Sequence, residues 1–320
     1  MAHLVENMAY VGQTPWHGLG RQLDTGLPID EWVIQAGMDW EIQESPVRFI
    51  AGQREYLGEI KPFANHKVLY RSDTHDPLSV VGNRYKVVQP REILEFYRDL
   101  TEKSGFELET AGVLKGGRKL WALASTGQST TLKGEDTTKA YVLLATACDG
   151  TMATTAQFTS VRVVCNNTLA VALDNRTGAV KVSHRSVFDA ESVKQSLGIT
   201  VSSWDEFMYR MKHLSNRPVK DNEARRFLLR VMADPDKTTS ISKSTERNMA
   251  RVQALYDGQG LGAELASSKN TAYGLLGAVT QFVDHERSAR SRDNRLDSAW
   301  FGQGAELKGR ALKEALLMVA

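Results

Sequence analysis

The sequence predicts an α+β protein: antiparallel β-hairpins followed by a core helix, the β-β-β-α order, with a helical C-terminal region. Three observations carry that reading. Two strand-like stretches each fold about a glycine-containing pair, Gly116-Gly117 in FELETAGVLKGGRKLWALAS (106–125) and Asp149-Gly150 in KAYVLLATACDGTMATTAQF (139–158); such pairs between β-formers are strong hairpin signals. Directly afterwards, TSVRVVCNNTLAVALD (159–174) sets Val161, Val164, Cys165, Thr168, Leu169, Ala172 and Leu173 at i, i+3, i+4, i+7 and i+8, the apolar stripe of a helix. From residue 188 onward the spacing is helical to the end.

Taken in order, the first 45 residues are rich in Gly and Trp, and PIDEWVIQAGM (28–38) places Ile29, Trp32, Val33 and Ala36 on one helical face. They read as an arm that docks. From Val47 to about Val88 the chain is short, β-rich runs separated by Gly, Asn, Asp and Pro, which predicts a meander or a pair of hairpins. PREILEFYRDLTEKSG (90–105) has Ile93, Leu94, Phe96, Tyr97 and Leu100 at helical spacing, Pro90 in a first turn and Gly105 as a stop; it predicts one helix. The strand-like AVKVSHRSV (179–187) precedes the helices FDAESVKQSL, VSSWDEFMYRMKHL, DNEARRFLLRVMA, STERNMARVQALYDG, NTAYGLLGAVTQFVDHERSAR and GAELKGRALKEALLMV. The expected organisation is therefore an arm (1–45), an α+β core (46–187) and a helical region (188–320).

Composition narrows the function classes. Forty Lys plus Arg against 38 Asp plus Glu leave a formal charge of +2, too balanced for a protein that neutralises a polyanion over its whole surface. Any nucleic-acid contact must come from a local patch. The same balance counts against a densely acidic DNA mimic. Two cysteines, Cys148 and Cys165, are too few for a disulfide framework or a cysteine-based zinc site, and suit a reducing cytoplasm. The histidines show no HxH or HExxH spacing, so no metal is expected. No stretch approaches the roughly 18 unbroken apolar residues of a membrane span, and MAHLVENMAYVGQTPWHGLG lacks a basic segment followed by an apolar core; neither export nor a membrane is expected.

Candidate binding residues fall in three places. GVLKGGRKLWALA puts Lys115, Arg118 and Lys119 at a hairpin tip with Trp121 behind them. The phosphate-cradling GxxxxGK[ST] is absent and no helix follows, so a nucleotide site is not indicated; a basic tip can reach a polyanion or be an ordinary solvated turn. VGNRYKVVQP sets Arg84 and Lys86 on one face of an expected strand with Tyr85 on the other, and AVKVSHRSV alternates Lys181, Ser183 and Arg185 with Val180, Val182 and His184. A sheet with one basic and one apolar face can pack on helices behind and track a nucleic-acid backbone in front. On the expected core helix, Arg162, Asn166 and Asn167 sit beside the apolar stripe. They are either ligands for phosphate or a base edge, or buried polar groups that satisfy neighbouring backbone. Cys165 lies on the stripe with no base beside it, and reads as a small core residue.

The succession GNRYKVVQPREILEFYRDL, ETAGVLKGGRKLWALA, CDGTMATTAQFTSVRVVCNNTLAVAL, VKVSHR and AWFGQGAELKGRALKEALLM resembles a family of phage- and plasmid-related proteins defined as a domain of unknown function, over roughly residues 10–320. Two hairpins followed by a helix are also similar in order to the core of the single-strand annealing recombinases, the group of the phage Redβ, RecT and Erf proteins and the Rad-type annealases. That resemblance implies a groove for single-stranded DNA lined by Arg162, Asn166, Asn167, Lys115, Arg118 and Lys119, and side-by-side assembly into a ring or filament. It implies homologous recombination in a phage or other mobile element in a bacterial cytoplasm, with a phage exonuclease or host single-strand-binding protein as partner. Annealing needs no bond chemistry, no catalytic residue and no cofactor. Two other classes stand beside it: an enzyme on nucleic acid or nucleotide that uses His184, Asp149 or Cys165, and a structural or counter-defence interaction protein.

Overall fold

The computed structural model describes residues 5–12, 20–52, 58–165, 167–170, 179–201, 204–233, 242–290 and 292–319. The α+β class holds, with one large antiparallel-rich sheet, a three-stranded sheet and a helical C-terminal region. The chain divides into two compact units, each assembled from three segments: Met1–Thr126, Val142–Ala156 and Ala179–Ser196 in the first, and Gly127–Tyr141, Gln157–Gly178 and Leu197–Ala320 in the second. Among the described residues no helix is long and apolar enough to cross a membrane.

In the first unit, β1 (Val5–Val11) pairs parallel with β2 (Arg21–Leu23). The expected helix of the N-terminal segment is α1 (Ile29–Gln35), which buries Ile29, Trp32 and Val33. The meander is β3 (Ile42–Ala51), β4 (Glu59–Arg71) and β5 (Pro77–Gly82), in that order across a sheet. The β3–β4 register breaks between Pro46, opposite Lys67, and Arg48, opposite Pro62. Beyond the break, Arg48–Ala51 and Glu59–Pro62 run on as a two-stranded ribbon, because β5 pairs no further than His66.

The helix expected over 90–105 is two: α2 (Pro90–Glu95) and α3 (Arg98–Ser104). The interruption lies at Tyr97, which is fully buried and donates its hydroxyl to the carbonyls of Ala122 and Val142. Gly105 ends α3 at φ 70°, the left-handed stop that glycine favours. The first hairpin is β6 (Glu107–Leu114) with β7 (Lys119–Leu132), and β1 pairs antiparallel with the outer side of β6. At its turn, Gly117 has φ 96°, and a Cβ there would lie 2.9 Å from the Trp40 ring, so no side chain is accommodated.

The second hairpin is β8 (Asp136–Ala147) and β9 (Thr154–Arg162), neighbours in the large sheet around Asp149-Gly150. Strands β7, β8 and β9 each contribute residues to both units. Past this hairpin the structure corrects the sequence reading. The core helix expected over 159–174 is strand, turn and strand: β9 runs to Arg162 and β10 (Asn167–Ala170) returns along it, pairing Asn167 with Arg162 and Thr168 with Val161. Asn166 and residues 171–174 lie outside the described residues. The i/i+7 coincidence of Val161 and Thr168, read as helical, is a cross-strand pair. Extended backbone also suits Thr159 and Val161, whose branched Cβ crowds a helix. Val163 and Val164 stand 44% and 40% exposed at the turn, whereas a helix would have buried Val164.

VGNRYKVVQP departs likewise: β5 ends at Gly82, and Arg84 to Lys86 are not in a strand. Of AVKVSHRSV only β11 (Ala179–Val182) is strand.

In the second unit the six expected helices appear in order, and a seventh that the sequence reading missed, over Arg292–Phe301, stands before the last of them. After α4 (Ala190–Val201) come α5 (Trp204–Asn216), α6 (Asp221–Met232), α7 (Lys243–Ala254), α8 (Ala272–Gln281), α9 (Arg292–Phe301) and α10 (Gln303–Leu316). Ser242 and Thr271 cap α7 and α8 by accepting from the backbone N–H of Thr245 and Gly274, a standard way to satisfy the first-turn donors. Single π-turns extend α7 over Leu255–Gln259 and α8 over Phe282–Glu286. A Cβ on Gly274 would meet the Ser268 carbonyl at 2.0 Å, so this glycine lets α8 pack against the preceding loop. Phe158, Trp204 and Phe207 form an aromatic run with successive centroids 5.9 Å apart.

Candidate functional site

The sequence-predicted residues separate into an interior network in the second unit and an open cleft in the first. Arg162, at the end of β9, is 7% exposed, and its Nε donates to Asp136 Oδ1 at 2.8 Å while Nη2 donates to Oδ2 at 2.6 Å. Nη2 also reaches Ser268 Oγ and the Gly262 carbonyl. Asp136 is 0% exposed and takes a further bond from Ser267 Oγ at 2.6 Å. Burial opposes the charge on Arg162, but the Asp136 carboxylate outweighs it and holds the guanidinium protonated. Arg162 therefore faces a carboxylate inside the fold, where the expected groove required it to face phosphate.

Asn167 is also interior, 5% exposed, and donates to the Gly277 carbonyl and Thr280 Oγ1. Of the two readings open for these polar residues, the structure places Arg162 and Asn167 in the second, satisfying neighbours across the fold. Beside them, Lys308 donates to Asp284 Oδ1 at 2.7 Å, to Thr168 Oγ1 and to the Thr168 carbonyl, and Asp284 Oδ2 accepts from the Thr168 backbone N–H at 2.7 Å. The π-turn after α8 carries Asp284 and His285. His285 Nε2 lies 2.9 Å from the Cys165 carbonyl and 3.2 Å from Asn167 Oδ1.

Burial holds the His285 imidazole below its ordinary pKa, with Lys308 acting in the same sense and Asp284, the Cys165 carbonyl and Glu286 opposing. The unfolded chain thus takes up this proton first as the pH falls. The stabilisation is complete above about pH 6.5 and declines as the pH drops from there through the lower folded value. Urea midpoints are expected to fall between about pH 7.5 and about pH 5.5, above the ordinary carboxylate range, and His285→Gln is expected to flatten that slope.

Both thiols are buried. Cys165 is 3% exposed and Cys148 5%, and burial pushes them up to about 11 and about 12, so neither forms the thiolate that attack requires near neutral pH. Asp149 accepts from the backbone N–H and hydroxyl of Thr151 in its turn. Among the described residues no group of His, Cys, Asp and Glu is placed to hold a metal ion.

The cleft lies in the first unit. It has a volume of about 700 Å³, is open to solvent, and is lined by Asn65, His66, Arg84, Tyr85, His184 and Arg185 among others, with no acidic residue among the described lining. Two stretches a hundred residues apart meet here. Lys86 donates its backbone N–H to the His184 carbonyl at 2.6 Å, and His184 Nδ1 lies 3.0 Å from the Lys86 carbonyl. That backbone pairing joins the two stretches, and Arg84, Lys86 and Arg185 are all exposed. Tyr85 and His184 stack, with centroids 4.4 Å apart and planes at 16°. Tyr85 Oη donates to the Ala147 carbonyl at 2.6 Å, and burial raises its pKa, so the phenol stays neutral.

Lys115, Arg118 and Lys119 do not line the cleft. Arg118 is exposed at the hairpin tip, Lys115 is half-buried and Lys119 is buried at 6%. Of the expected ligands, Arg84 and Arg185 line the cleft, while Lys86 is exposed and reaches it only through its backbone bond to His184. Sequence reading missed Asn65 and His66 as site residues, and took His184 only as a candidate catalyst. Asn65 has φ 66°, and nothing in the pattern of β4 marks that departure.

A family model described as a domain of unknown function (DUF932) matches residues 77–300, which takes in Arg84, Tyr85, His184, Arg185 and the Arg162–Asp136 pair. No curated protein and no solved structure matches the chain.

Proposed function

The chain belongs to the DUF932 family, and from that premise we propose that it binds single-stranded DNA in the cleft around Arg84 and Arg185. One observation carries this: two exposed arginines, Arg84 and Arg185, from stretches joined by the Lys86–His184 backbone pairing, line one open cleft whose described lining residues include no carboxylate. Guanidinium groups suit phosphate because their planar donors match its oxygens, and the near-neutral net charge of +2 confines polyanion binding to such a patch. The groove implied by the likeness to annealing recombinases rested on a core helix with Arg162 and Asn167 facing outward. Strand–turn–strand stands there instead, and in this proposal the cleft takes the groove's place.

The further part of the proposal is assembly and annealing, in the service of recombination in a phage or other mobile element. One cleft spans few phosphates, so a homo-oligomer, ring or filament, that sets clefts in series would extend the track and hold a strand open to its complement. A phage exonuclease or host single-strand-binding protein would supply or take over the strand.

Fluorescence anisotropy with a labelled oligo-dT at 50–200 mM salt tests the first step. The Arg84→Ala/Arg185→Ala variant is expected to weaken binding and to lower the slope of log affinity against log salt by about 1.4, two contacts at about 0.7 each for single strands. Failure of the unaltered protein to bind at low salt would remove the proposal, and an unchanged slope in the variant would move binding off the cleft. Strand-annealing rates with complementary oligonucleotides read the second step.

A further inference from the structure

We propose that the cleft carries a stacking platform for unpaired nucleobases, made by the Phe63–His66 pair and the Tyr85–His184 pair. This rests on the reading of the cleft as a single-strand site, and adds what that site recognises beyond charge. The β3–β4 register break is the first support. Between Pro62, opposite Arg48, and Lys67, opposite Pro46, the residues Phe63, Ala64, Asn65 and His66 leave the β3–β4 ladder, while His66 still pairs with Gly82 of β5. Asn65 turns through φ 66°, and the bulge presents two rings: Phe63, 50% exposed, lies with its centroid 4.9 Å from that of His66, which lines the cleft. A single exposed phenylalanine is ordinary. One held against a ring that lines a basic cleft has the chemistry of a base-stacking group.

The second support is how firmly the other rings are held. Tyr85 is fixed by its hydroxyl, and His184 has its two ring nitrogens 3.0 Å and 3.1 Å from the carbonyls of Lys86 and Met152. The stack is ordered before any ligand arrives, which reduces the entropy lost on binding. The third is sequence adjacency: Arg84 precedes Tyr85 and Arg185 follows His184, so each ring of the stack has a cation at the next residue. That alternation matches a single strand, which offers a phosphate and a base at every step, and does not match duplex, whose bases are stacked on one another.

The test compares a 20-mer oligo-dT, an abasic oligonucleotide of the same length and a duplex, by anisotropy. The unaltered protein is expected to favour oligo-dT over the abasic strand by about tenfold or more, and over duplex as well. Phe63→Ala is expected to bring the oligo-dT to abasic ratio close to one while affinity still falls with salt. Phe63→Trp is expected to keep the ratio, with indole emission quenched by oligo-dT and not by the abasic strand. Equal binding of oligo-dT and abasic strand by the unaltered protein, with a steep salt dependence, would overturn stacking and leave the charge-based site standing. A ratio unchanged in Phe63→Ala would likewise overturn it. Binding of neither strand would remove both.

Discussion

Asp136→Ala is expected to destabilise the protein by about 3–5 kcal/mol, because it leaves the Arg162 guanidinium buried without its counter-charge. The carboxylate is fully buried and takes donors from Arg162 and from Ser267. Without it, Nη2 keeps only Ser268 Oγ and the Gly262 carbonyl, and Nε has no acceptor in the site. The urea midpoint measures the loss. Replacing both partners, as Arg162→Met with Asp136→Leu, is expected to recover most of it, since removing a buried pair together is often near neutral whereas removing one member is not. The same geometry governs how Arg162→Ala is read in a binding assay. A loss of DNA affinity in that variant would report a loss of fold, so the informative substitutions are Arg84 and Arg185.

Lys308→Met is expected to have an effect of the same order, about 3–5 kcal/mol, for the mirror-image reason. Lys308 and Asp284 are each 4% exposed, and the ammonium bonds Asp284 Oδ1 at 2.7 Å. Methionine keeps the length of the side chain and removes the charge, stranding a carboxylate whose remaining bonds come from Thr168. Adding Asp284→Asn to Lys308→Met is expected to restore stability in part, because the amide oxygen still accepts from the Thr168 N–H and carries no charge. A double-mutant cycle of chemical denaturation curves gives the coupling. If Lys308→Met alone shifts the midpoint by less than the equivalent of about 1 kcal/mol, the pair is not a keystone of this unit.

How much of the fold could be read from the sequence depends on how local each feature is. The turns at Gly116-Gly117 and Asp149-Gly150 were legible because a positive φ, found at Gly116, Gly117 and Gly150, favours glycine whatever the rest of the fold does. The C-terminal helices were legible because ten or more residues of one period outweigh a chance pattern. The stretch 159–174 was not, since its apolar residues recur at spacings that a strand pair can imitate: Val161 and Thr168 meet across a ladder, not down a helix face. Arg162 showed its charge in the sequence but not its partner, Asp136, 26 residues away. Lys119 reads as part of a basic tip, yet it begins β7 and is buried. The cleft was half legible. The alternation of basic and apolar residues at 84–86 and 181–185 survives as exposed against partly buried positions, although neither run is strand throughout. That the two runs meet depends on a backbone pairing across a hundred residues, which no local pattern encodes.

The three-fold interleaving of the chain between its two units has a consequence for how the protein is made. A nascent chain leaves the ribosome N-terminus first, and domains usually close in that order. Here the first unit lacks its last segment until Ser196 has emerged, while pieces of the second, Gly127–Tyr141 and Gln157–Gly178, are already out and waiting for helices that come after Leu197. The second unit therefore cannot close until the helices after Leu197 have emerged, and during that interval its two earlier segments must wait without the helices they pack against.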